Sequence, residues 1–235
     1  MKQHRTWLRG ILAALLALSA SGAASAQGYP DKAVTIISDA GAGSSVDVGI
    51  TSLRQLIDRA KAAPGTISTA VSGVGRITHL TSILIAQRAG ITLVPVPYTG
   101  GPSAALADVA AGRVTSIIEG YTGIIGAVNA KQVELIATGA PQRLAEFPDL
   151  PTVAETLPDL SASGWIVMAA PRGTPAAVIA KVNADLAKVV SDPIVKKRLA
   201  VTGNYTHVMT PDETQAFVAK QQGTWRPVIA SLAKK

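Results

Sequence analysis

Short β-branched runs alternate with longer amphipathic stretches along most of the chain. KAVTIIS (32–38) is the first such run and breaks at the glycine-rich DAGAGSSVD. TSLRQLIDRAKAAPG (51–65) opens on a Thr/Ser cap, carries Leu53, Leu56, Ile57 and Ala60 at helical spacing, and stops at Pro64-Gly65. Apolar residues three and four apart share one helix face, so this stretch predicts a helix with defined ends. A strand follows in TISTAVS (66–72), a helix in ITHLTSILIAQRAG (77–90) closed by Gly90, and a strand in ITLVPVPY (91–98). GPSAALADVAAG (101–112), RVTSIIE (113–119), TGIIGAVNAK (122–131) and QVELIATG (132–139) continue helix, strand, helix, strand. Alternation at this spacing predicts βαβ units and a mainly parallel sheet, an α/β fold.

The rhythm breaks in APQRLAEFPDLPTVAETLPDL (140–160), whose prolines predict a connection between lobes. SGWIVMAAP (163–171) restarts a strand. TPAAVIAKVNADLAKVV (174–190) places Thr174 as cap and Pro175 at the first helical position. TPDETQAFVAKQQ (210–222) repeats that start, with Glu213 completing a capping box on Thr210. Trp165 is expected to pack at a hinge, and Trp225 with the Lys-rich C-terminus to belong to a solvated amphipathic helix.

Residues 1–26 read as a secretory signal rather than as fold. A basic head carries Lys2, Arg5 and Arg9, an apolar stretch too short to span a bilayer follows, and SGAASA predicts cleavage after Ala26. Removing three positive charges and no acids turns the formal +7 into +4. The remaining basic residues are scattered and aromatics make up 4% of the chain, which argues against a nucleic-acid surface. The chain has no cysteine, hence no lipid-attachment site and no disulfide. A periplasmic location is expected.

Two turns carry the candidate chemistry: AGAGSSVD (40–47) and SGVGRIT (72–78), each after a strand. Loops leading from parallel strands into helices present unpaired N–H groups and a partial positive charge, which suit carboxylates and phosphates. A dinucleotide fingerprint is not met, because neither turn has the third small residue and no ribose-binding acid follows. A nucleophile elbow would need G-x-S-x-G. His79 and His207 stand without spaced carboxylates or thiols, so no metal site and no cofactor are expected. Neither Ser44 nor Ser72 has a histidine placed to activate it. Two readings stay open at this point: such turns are common structural features of α/β proteins, or they hold an anion.

YPDKAVTII, APGTISTAVSGVGRITHL, VPVPYTGGPSAALADVAAGRV, PDLPTVAET and WIVMAAPRGTP…VIAKVNADL occur in an order that resembles one family. It is the extracytoplasmic solute receptors of tripartite tricarboxylate transporters, the Bug receptors. The resemblance implies a two-lobed periplasmic binding fold of type II, without catalytic activity. It also implies capture of a small carboxylated or amino-acid solute by a monomer, and delivery to a permease with one large and one small membrane subunit. Carried over by residue, it implies a first clamp of Gly43, Ser44 and Ser45 leading to Asp47. The second clamp is Ser72, Gly73, Val74, Gly75 and Thr78, with His79 as a capping or packing residue in the same motif. Tyr98, Thr99 and Gly100 form a third, with Glu119 at a neighbouring strand end. Asp47 and Glu119 are caps or, facing the cleft, partners for an ammonium group.

Two departures from the family follow. Arg76 replaces a small hydroxyl residue and opposes the helix dipole, so it points into water or pairs with a second acidic group of the ligand. After Asp47 several dozen family residues are missing. Residues 27–50 and 161–235 are then expected to form an incomplete first lobe, and 51–160 a complete second one. Two alternatives to the receptor remain: a secreted hydrolase-like enzyme, and a non-binding, internally deleted remnant.

Overall fold

A computed structural model describes the backbone of residues 35–38 and the whole of residues 50–232. These belong to one contact unit, Lys32–Lys235. The signal-like segment 1–26 lies outside the described residues.

Every helix predicted over residues 51–131 forms. Ser52 caps α1 (Leu53–Ala62), its hydroxyl accepting the Gln55 N–H, and the predicted Leu53, Leu56, Ile57 and Ala60 are its buried face. Strand β2 (Ile67–Val71) leads to α2 (Ile77–Ala89), which ends on Gly90 in the left-handed conformation. Then come β3 (Leu93–Pro97), α3 (Pro102–Ala110), β4 (Ser116–Glu119), α4 (Tyr121–Asn129) and β5 (Glu134–Thr138). With β1 (Thr35–Ser38) they make a five-stranded sheet in the order β3-β2-β4-β1-β5, parallel at every pairing. The prolines of β3 are tolerated because β3 is an edge strand.

Alternation along the strands splits the core in two. Ile118 faces one cluster with Leu56 and Ile57 of α1 and Leu84 and Ile85 of α2. Ile117 faces the other, with Val109 of α3 and Ile124 and Ala127 of α4. Helices therefore cover both faces, as parallel sheets require.

Residues 35–38, expected in a first lobe apart from 51–160, pair in the same sheet as that segment, with β4 (Ile37 with Ile118) and with β5 (Ile36 with Leu135). The proline-rich stretch 140–160 is also more than a connection. Thr138 N–H bonds the Pro151 carbonyl at 2.8 Å, and Thr152 and Glu155 form a capping box on the one-turn helix α5 (Val153–Thr156). Val153, Leu157 and Leu160 are buried beside α1.

The C-terminal third departs further. No strand forms at 163–171, where Ile166 is 95% exposed: a β-prone run without a partner strand has nothing to bond its backbone. Helices α6 (Ala176–Ser191) and α7 (Pro193–Ala200) bury no residue, and Val178, Val182 and Val189 on α6 stay exposed. Helix α8 (Pro211–Leu232) starts on the predicted Thr210–Glu213 box but runs ten residues past 222, through Pro227. Trp225, expected on a solvated face, is buried with Val228 against the α1–α2 cluster. Trp165 meets Phe217 of α8 edge-to-face at 5.7 Å.

Because β1 is hydrogen-bonded on both sides, Ile37→Pro deletes a ladder donor inside the sheet. The expected loss is about 1–3 kcal/mol, that of a buried carbonyl left unpaired, with both core clusters loosened together. Urea denaturation followed by tryptophan fluorescence measures it.

Candidate functional site

Helices α1 and α2, which follow β1 and β2, pack on one face; α3 and α4, which follow β3 and β4, pack on the other. Neighbouring strands β2 and β4 thus send the chain to opposite faces. The crevice beyond the carboxyl ends at such a switch point is where open α/β sheets bind ligands. The register brings those ends together: Val71 lies beside Pro97, Ala70 beside Ile117, and Ser38 beside both Glu119 and Thr138.

Of the sequence-predicted site residues, Ser72–Thr78, Tyr98–Gly100 and Glu119 all stand at this one edge. Gly43, Ser44, Ser45 and Asp47 lie outside the described residues. The strand that leads to them, β1, belongs to the same sheet as β2, β3 and β4, so that strand does not come from an opposing lobe.

The loop after β2 is tied to the first turn of α2. Thr78 Oγ1 accepts the Ser72 N–H at 2.9 Å and shares a hydrogen bond with the Ser72 hydroxyl at 2.7 Å. Gly75 N–H donates to His79 Nδ1 at 3.0 Å. The turn needs glycine at Gly75, whose φ is +76°. Burial lowers the proton affinity of His79, which favours the neutral ring that this bond requires. Arg76 is exposed and is the N-cap of α2 without a side-chain cap bond; its side chain lies over Gly73. Among the described residues no acceptor meets the N–H groups of Gly73, Val74, Ile77, Thr78 and His79.

Tyr98 N–H donates to the Val71 carbonyl at 2.8 Å, fastening the β3 loop beside the β2 loop. Its hydroxyl, expected at the cleft, donates instead to the Asp108 carboxylate, which Arg113 also holds at 2.5 and 2.8 Å. Burial first, then the Asp108 bond, push the Tyr98 hydroxyl up to about 12. Thr99, Gly100 and Gly101 carry no N–H acceptor among the described residues, and Gly101 is the N-cap of α3. At α4, a Glu119 carboxylate oxygen accepts the Gly120 N–H at 2.9 Å, so it acts on the helix terminus in its own chain.

One neighbour of this edge had no signal in the sequence beyond a Gly-Asn helix stop. Residues 202–205 lie on the first turn of α4: the Thr122 hydroxyl donates to the Thr202 carbonyl at 2.9 Å, and Asn204 Nδ2 donates to Thr122 Oγ1 at 3.3 Å. A Cβ on Gly203 would stand 2.9 Å from the Tyr121 ring. Only their meeting in space reveals the contact.

The arrangement offers backbone N–H groups from two adjacent loops and the starts of two helices. Among the described residues there is no cluster able to hold a metal, and no helix long and apolar enough to cross a membrane. Residues 38–233 match the profile of the tripartite tricarboxylate transporter family receptor. The chain belongs to that receptor family. A UPF0065 protein from the tcbD-tcbE intergenic region of Pseudomonas sp. strain P51 is 33% identical over 179 residues, 75% of this chain and 53% of that protein. Protein BugT of Bordetella pertussis is 30% identical over 188 residues, 79% of this chain and 57% of BugT. The chain thus spans little more than half the length of these relatives.

Two solved structures agree. R. palustris Rpa4515, determined with adipate, superposes with a TM-score of 0.71 at 26% identity, covering 84% of this chain and 66% of that one. The periplasmic binding protein BugD gives 0.63 at 26%, covering 79% and 62%. The matched family is one of transporter receptors, BugD is a periplasmic binding protein, and the fold of this chain is of their type.

Thr78→Val removes the acceptor of the Ser72 N–H and is expected to cost about 1–3 kcal/mol in a denaturant melt. A second prediction follows from His79. Its proton affinity is lowered in the folded chain, so the unfolded chain binds more protons below neutrality and stability falls as pH drops through the ordinary imidazole range. Urea melts at about pH 7.5 and about pH 5.5 should show this loss, and His79→Phe should reduce it.

Proposed function

We propose that this protein is a periplasmic receptor that captures a small carboxylated solute and passes it to the large and small membrane subunits of a tripartite transporter. The observation that carries the reading is the convergence, at one sheet edge, of N–H groups from the β2 and β3 loops and the first turn of α2 that have no acceptor among the described residues. A carboxylate accepts such donors, directly or through ordered water, in a field already positive at the helix start. Each charge-assisted bond contributes about 1.5–3 kcal/mol, so a few support micromolar capture, about −8 kcal/mol. Adipate in Rpa4515 supports the ligand class. The basic and apolar head of residues 1–26 supports export. Closure of a second lobe over the solute by hinge motion completes the mechanism.

In this reading Ser72 and Thr78 shape the loop, Gly73 and Val74 donate, and Thr99 and Gly100 donate from the adjacent loop. Tyr98 fixes that loop through Asp108. Gly43, Ser44, Ser45 and Asp47 are the proposed further contacts, from the stretch after β1. Glu119 adds a negative charge at α4 that a solute carboxylate would avoid. An amino-acid solute would pair its ammonium with Glu119 or Asp47.

A second reading has its own support. The chain covers 53% and 57% of two relatives, and α6 leaves apolar residues in water, which favours a shortened receptor that no longer binds. Thermal shift with adipate and with its uncharged diamide separates the two. The receptor is stabilised by adipate alone, by about 2.7 kcal/mol at a hundredfold excess over Kd. A cooperative melt unmoved by mono-, di- and tricarboxylates, aromatic acids and amino acids overturns the binding function.

A further inference from the structure

We propose that His79 is a positioning residue of the carboxylate site: its Nδ1 holds the Gly75 N–H and so sets which amides of the β2 loop remain for the solute. The inference rests on the receptor reading above and adds a residue role to it. A helix start is ordinarily capped by a side chain upstream of the first turn. Here the N-cap, Arg76, makes no side-chain cap bond, and the imidazole reaches backward from inside α2 to a donor four residues earlier. The direction of capping is inverted.

Two overlapping ties result. Ser72 to Thr78 closes the base of the loop, and Gly75 to His79 closes its tip. Between them Gly73 and Gly75 hold φ values of +135° and +76°, conformations that glycine readily leaves when nothing restrains them. His79 can restrain them because it is itself held. It is 8% exposed, and its carbonyl accepts the Ser82 hydroxyl at 2.7 Å. An imidazole that accepts at Nδ1 carries its proton on Nε2, so the bond selects one tautomer. The Gly75 amide is thereby removed from the donor set, while those of Gly73 and Val74 have no acceptor among the described residues. Ordering the loop before the solute arrives lowers the entropy cost of binding.

The test compares the full mature chain with His79→Phe, His79→Asn and His79→Gln, using adipate in calorimetry and histidine 15N NMR without ligand. Asparagine presents an oxygen near the place of Nδ1; glutamine displaces it toward the place of Nε2. The expected results are an Nε2–H tautomer, about tenfold weaker adipate binding for His79→Phe, and binding within about threefold of the parent for His79→Asn. If His79→Phe does not melt cooperatively, the comparison of Asn with Gln decides: Asn must bind more tightly. An Nδ1–H tautomer, or variants that all bind like the parent, overturns the role of His79 and leaves the receptor reading standing. A parent with the predicted tautomer but no affinity for adipate counts against the receptor reading, and the site role of His79 falls with it.

Discussion

Strands β4 and β5 do not pair with each other; four residues, 35–38, stand between them and pair with both. Everything else in the arrangement depends on that insertion. Ile118 of β4 and Ile136 of β5, on either side of that strand, share one core cluster with α1, α2 and Trp225 of α8. A parallel strand inside a sheet is bonded along both edges, which gives even a short segment leverage over its neighbours. The same insertion shapes the carboxyl edge of the sheet. It puts the carboxyl end of β1 beside Glu119, next to the loops that follow β2 and β3.

At that edge the chain divides its hydrogen-bonding groups between two uses. Hydroxyls and the imidazole are turned inward: Thr78 to Ser72, His79 to Gly75, Tyr98 to Asp108. Several main-chain N–H groups are left without a partner among the described residues. Backbone donors have no rotamer to change, so in the proposed site they would be ordered once the ties at Thr78 and His79 hold the loop. Glu119 tempers the field at α4 by accepting the Gly120 N–H.

The C-terminal third lacks the support that the first two core clusters give each other. α8 docks through Trp225 and Val228, but α6 and α7 bury no residue. Their amphipathic pattern is intact, and the surface that would receive it is missing from the described residues. The chain spans little more than half the length of its Pseudomonas and Bordetella relatives, and these faces have no cover among the described residues. The contact of residues 202–205 with Tyr121 and Thr122 still brings this region to the rim of the proposed site.

Local patterns determined most of the elements. The 3.6-residue period in 51–65, the Gly90 stop, the Thr210–Glu213 box and the alternation of strands with helices are each written within a few residues, and each formed. The loop after β2 was legible as a glycine turn between strand and helix, whereas the loop after β3 was singled out by the family resemblance. Partner choice was decided by the tertiary structure alone. The run at 163–171 has strand character but no strand to join, whereas 35–38 found two. Trp225 sits in a stretch that reads as solvated, yet it is buried because α8 crosses the α1–α2 cluster. Tyr98 turns to Asp108 and His79 back to Gly75 because a side-chain donor or acceptor goes to the nearest complement in space. Periodicity specifies which face of an element is apolar; what covers that face depends on contacts between residues far apart in the chain.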